Sequence, residues 1–116
     1  MSQCTCYNQL PPIYKGDDAT IKLAVVHNDG TKMNFNGKTV TFIVKKLKTQ
    51  EDTDAVITKT YTPEIDKEEL DIELTDTETN IEPGTYWWGV RVEYDNYQTT
   101  EGEGQVEIVQ GPFYGN

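Results

Sequence analysis

The chain has 116 residues, with 20 acidic against 10 basic side chains and a formal net charge of −10 at pH 7. That length suits one domain and is short for two. An acidic surface repels phosphate backbones and anionic lipid, so neither nucleic acid nor a membrane is an expected partner, and no apolar run approaches the ~18 residues of a membrane span.

In chain order, residues 1–12 come first as a flexible arm with no apolar segment of signal-peptide type, which predicts synthesis and retention in the cytoplasm. Cys4 and Cys6 are too close for an unstrained disulfide, and as a zinc site they would need two more ligands, with His27 the sole histidine. The reading is a reduced arm without metal. A single domain over residues 13–110 follows. In Thr20 to Val26 the apolar set Ile21, Leu23 and Val25 faces one way, and Asp29-Gly30 marks a turn. Thr39 to Lys45 repeats the alternation with Val40, Phe42 and Val44 inward. Ala55 to Thr62 is rich in β-formers but has no consistent face, which suits an edge strand.

Leu70, Ile72 and Leu74 make a clean alternation, and Thr75 to Pro83 then predicts a short helical turn capped by Asp76. After Pro83-Gly84 comes the longest strand, Thr85 to Tyr94, with Tyr86, Trp88, Val90, Val92 and Tyr94 inward. Asp95-Asn96 turns the chain, and Gln105 to Val109 closes the domain with Val106 and Ile108 inward. Residues 111–116 form a tail. Period-2 alternation throughout, with no helix beyond one turn, predicts an all-β, immunoglobulin-like antiparallel β-sandwich of about seven strands.

Chemistry-bearing patterns are sparse. The acidic groups Asp17-Asp18, Glu51-Asp52 with Asp54, Asp66 to Glu69, and Asp76 with Glu78 lack the glycine and bidentate glutamate of an EF-hand loop. They read as solvated loops, although calcium can sit between the loops of a sandwich. No carboxylate lies in an apolar context that would raise its pKa for glycoside hydrolysis. Ser2 is the only serine, and Gly102-Glu103-Gly104 reads as a bulge or turn, not a phosphate cradle. The expectation is a protein that is not an enzyme and has no cofactor. Trp87 and Trp88 are adjacent and must point to opposite faces of a strand, so a buried Trp88 leaves Trp87 outside. Trp87, Tyr97, Phe113, Tyr114 and Tyr7 form the candidate interaction surface.

Leu70-x-Ile72-x-Leu74 followed by Ile81 to Tyr86 resembles the corner before strand F of immunoglobulin-like domains, where a tyrosine hydroxyl bonds back to the backbone. Tyr86 would be that tyrosine. Trp88 stands where antibody domains carry cysteine, so the inter-sheet disulfide is absent. Pro83-Gly84-Thr85-Tyr86, the strand Trp87 to Glu93, Asp95-Asn96, Thr99 to Gly104 and the strand Gln105 to Val109 are similar to a pattern in tailed-phage and prophage virion proteins. Tyr14 to Asp18, entering a strand, resembles the start of the N-terminal domain of phage baseplate upper proteins. The resemblance implies a non-catalytic virion component of baseplate, tail or head that binds other virion proteins or copies of itself. The alternative from the residues alone is a carbohydrate-binding module that uses an exposed Trp87.

Overall fold

In the computed structural model, which describes residues 2–4, 10–27, 29–47, 51 and 54–111, nearly every alternating segment is a strand. In order these are β1 (Ser2–Cys4), β2 (Ile13–Tyr14), β3 (Ala19–Leu23), β4 (Val25–His27), β5 (Thr39–Lys45), β6 (Ile57–Tyr61), β7 (Leu70–Leu74), β8 (Gly84–Tyr94) and β9 (Tyr97–Val109). Five of them form one sheet in the order β2-β9-β8-β5-β6, antiparallel except where β2 runs parallel to β9. β3 pairs with β7 to form the opposing layer, and β1 pairs with β4. The fold is an all-β sandwich. It has more than the seven strands expected, because the first alternating segment, Thr20 to Val26, breaks at Ala24 and because Ser2–Cys4 adds a strand.

The core lies between the layers. Leu23, Leu70, Ile72 and Leu74 meet Val40, Phe42, Val44, Trp88, Val90, Val92, Val106 and Ile108, all buried. Ile21 is half-buried at the margin of this cluster. Tyr94, expected inward, is 42% exposed. Its alternation with Val92 keeps it on the inner face, where it lines an open cavity at the hairpin end of the sheet. The boundary at residue 13 also moves: Leu10 belongs to the core, and its N–H donates to the carbonyl of Gln105 at 3.1 Å.

The turn after β7 is present with a different cap. Thr79 N–H donates to Thr75 O at 3.0 Å, closing one α-type turn. Glu78 N–H donates to Thr75 Oγ1 at 3.2 Å, and Thr75 N–H donates to Glu78 Oε1 at 2.9 Å. That reciprocal pair is a capping box, so Thr75 is the cap and not Asp76. Asp76 donates its own N–H to Asp18 Oδ1 at 2.8 Å, tying the turn to the loop before β3. Glu78 also accepts an ion pair from Lys59 at 3.1 Å across the open side of the sandwich. β6 is the edge of the five-stranded sheet, as expected, and Lys59 sits opposite the buried Phe42, on the core side. An inward-pointing charge on an edge discourages strand addition by another chain.

The corner before β8 is closed by Tyr86, whose hydroxyl donates to Glu82 O at 2.5 Å. Gly84 has φ of +151°, which a side chain would disfavour, and this accounts for the Pro-Gly pair at the bend. Tyr86→Phe keeps the ring and strands the Glu82 carbonyl. It is expected to lower the unfolding free energy by about 1–1.5 kcal/mol, read as a lower urea midpoint at constant slope.

The connection between β4 and β5 contributes two core residues without being a strand. Met33 and Phe35 are buried. Phe35 N–H donates to Lys67 O at 2.8 Å and Gly37 N–H to Pro63 O at 2.9 Å, fastening this loop to the one before β7. Asn34 and Asn36 both donate side-chain amides to Asp66 Oδ1, at 3.0 and 3.1 Å. Those two amides hold the Asp66 carboxyl below its ordinary value. The Thr75 backbone N–H, aided by Lys59, does the same for Glu78. A lowered folded-state value stabilises the fold above the unfolded value and ceases to do so as pH falls through the folded one. Stability should therefore be flat near neutrality and decline once pH drops below the ordinary carboxylate values of 3.8 and 4.5. Glu78→Gln should shallow that decline in a series of urea midpoints against pH.

Candidate interaction surfaces

The β8–β9 hairpin builds the most distinctive surface. Asp95 and Asn96 adopt φ of 49° and 62°, the two left-handed residues of a type I′ turn, whose twist matches the flanking strands. Lower in the hairpin the pairing shifts: Val90 lies opposite Gly102 but Arg91 lies opposite Thr100, leaving Glu101 as the extra residue of a bulge. A bulge re-aims the side chains around it. Here Tyr97 and Thr99 pair with Tyr94 and Val92 and so share the inner face. Glu101 is 9% exposed, and its Oε1 accepts a hydrogen bond from Thr99 Oγ1 at 3.1 Å.

Past the end of the core Tyr94, Tyr97, Thr99, Thr100 and Glu101 line a cavity of about 520 Å³ together with His27 and Met33. Tyr94 and Tyr97 stand at its rim with ring centroids 6.0 Å apart. Lys38 Nζ lies 4.9 Å from the centroid of the Tyr94 ring and donates to Asn34 O. The cavity thus combines a carboxylate, an imidazole, hydroxyls and aromatic walls, a set suited to holding a polar or cationic group by hydrogen bonds and charge.

Trp87 occupies the other face of β8. It lies between Lys45 of β5 and Gln105 of β9 and is half-buried, on the outer face as expected from its neighbour Trp88. Next to it, Gly89 leaves a depression of about 260 Å³ bordered by Ile43, Lys45, Arg91 and Glu103. Trp87 and Tyr97 are not brought together. Tyr97 pairs with Tyr94, seven residues along β8 from Trp87 or ~23 Å of strand, and the two side chains face opposite ways. Phe113, Tyr114 and Tyr7 lie outside the described residues, as does Cys6.

Tyr94 reads from the sequence as core and not as surface, and Glu101 carries no sequence assignment. The signal for Glu101 was Gly102-Glu103-Gly104 after it, which marks a bulge without saying which neighbour turns inward. Among the described residues no three histidine, cysteine or acidic side chains are grouped as metal ligands, and no helix is long and apolar enough to cross a membrane. The acidic groups at Asp18, Asp66 and Glu78 serve as acceptors for neighbouring loops. The chain matches no protein-family model and no curated protein.

Proposed function

We propose that this domain is a non-catalytic structural and interaction protein, a virion component of a phage or prophage baseplate, tail or head that binds other virion proteins or copies of itself. The observation that carries the interaction role is the Tyr94–Tyr97 pair, 42% and 59% exposed, held at one end of the sandwich by a rigid hairpin. Tyrosine presents a large contact area with little conformational entropy to lose, and exposed aromatic pairs are typical of protein contacts. The virion setting rests on the resemblance, whose pattern from Pro83 to Val109 falls on this same β8–β9 hairpin. Lys59 guards the β6 edge, which favours closed contacts through the hairpin end over open-ended strand addition.

Light scattering over a wide concentration range tests this reading. A discrete oligomer that Tyr94→Ala with Tyr97→Ala dissociates, together with a silent glycan array, is the expected result. A strict monomer that binds glycans and loses them in Trp87→Ala would replace it with the carbohydrate-binding alternative.

A further inference from the structure

The inner face of the long sheet continues past the buried Val92 to Thr99, Tyr94 and Tyr97, and the bulge delivers a carboxylate into the cavity there. We propose that the cavity framed by Tyr94, Tyr97 and Glu101 receives the guanidinium of an arginine side chain from a partner protein. Its biological setting rests on the interaction role above; its chemistry does not.

Three observations support this occupant. First, Glu101 is nine-tenths buried, yet the hydrogen bond from Thr99 is its only partner among the described residues, and that bond engages Oε1. Buried carboxylates are normally matched by a cation or by several donors, so Oε2 has capacity left for a charged donor. Second, the rim is two tyrosine rings. A planar, weakly hydrated guanidinium stacks on such faces while its N–H groups reach a carboxylate, which a compact ammonium does less well. Tyr94 already carries a cation in the fold, the Lys38 ammonium at 4.9 Å. Lys38 does not line the cavity, and its Nζ is engaged by the Asn34 carbonyl. Third, a net charge of −10 draws basic partners toward the domain. Calcium is a poorer fit, because it requires six to eight oxygen ligands and the lining offers one carboxylate and hydroxyls beside an imidazole.

The test is an NMR titration of the isotope-labelled protein at pH 8 and low salt with N-acetyl-arginine methylamide, against its uncharged norleucine counterpart. Saturable shifts at the amides of Tyr97 to Gly102 are expected for the arginine compound alone. Glu101→Gln, or raising salt to about 0.5 M, should weaken binding by about fivefold or more. Equal shifts from norleucine, no shifts, or an unchanged affinity in Glu101→Gln would overturn the proposal. Should Glu101→Gln lose its folded spectrum, Tyr97→Ala removes one wall at an exposed position and carries the same expectation. Oligomerisation that persists without arginine binding refutes this receptor and leaves the assembly role standing. Arginine binding by a strict monomer does the reverse.

Discussion

Trp88→Ala is expected to lower the unfolding free energy by about 3–5 kcal/mol, while Trp87→Ala, one residue earlier, costs about 1 kcal/mol. The two side chains are chemically identical and differ only in which face of β8 they occupy. Trp88 is 3% exposed and stacks against Phe42 with ring centroids 6.5 Å apart, filling the space between the two layers. Its loss leaves a cavity that the surrounding β-branched side chains of Val44 and Val90 cannot close. Total stabilities of small domains run to about 5–15 kcal/mol, so the substitution consumes a large share. Among the described residues the buried indole N–H of Trp88 has no acceptor. Trp88→Phe removes that unsatisfied donor along with part of the ring volume, so it should be much milder than Trp88→Ala. Urea unfolding followed by far-ultraviolet circular dichroism measures all three without relying on tryptophan emission. Equal costs for the two alanine variants would mean that Trp87 is as deeply packed as Trp88.

Phe35→Ala should cost a similar ~3–5 kcal/mol, although Phe35 lies in no strand. Its side chain is fully buried in the main core cluster. The backbone around it is fixed from both sides, by Phe35 N–H to Lys67 O and by the Asn34 and Asn36 amides on Asp66. A loop held so firmly cannot collapse into the vacated space, which places the cost toward the upper part of the range. The melting temperature should fall by at least ~12 °C. Ile65→Ala, in the loop on the other side of those hydrogen bonds, is the control: at 66% exposure it should change stability by less than ~0.5 kcal/mol.

The proposed virion setting and the cavity at the end of the hairpin bear on different properties. The first concerns where the domain works. The second concerns what its Tyr94–Tyr97 end can hold, and Glu101 decides it, since without the bulge Tyr97 and Thr99 would face solvent on the opposite side of the sheet.

Much of the fold was legible because a strand half-exposed to water records its orientation in alternate residues. Val40, Phe42 and Val44, then Leu70, Ile72 and Leu74, then Tyr86, Trp88, Val90 and Val92, and finally Val106 with Ile108 are all buried as their period-2 pattern requires. Local chemistry was legible too: Pro83-Gly84 at the corner, Tyr86 bonding back to Glu82, and Asp95-Asn96 in a turn that needs two left-handed residues. What the pattern could not carry was anything set by a partner distant in sequence. Phe35 is core because the loop before β7 holds it there, and Tyr94 is exposed because it lines an open cavity at the end of the sheet. The Asp76 N–H goes to Asp18, 58 positions away, a contact that ties the turn to another loop and that no local pattern announces. Glu101 faces inward because a single added residue reverses the parity of β9 against β8. Alternation is a property of one strand, whereas the length of the facing layer and the register of a pair arise only when strands meet.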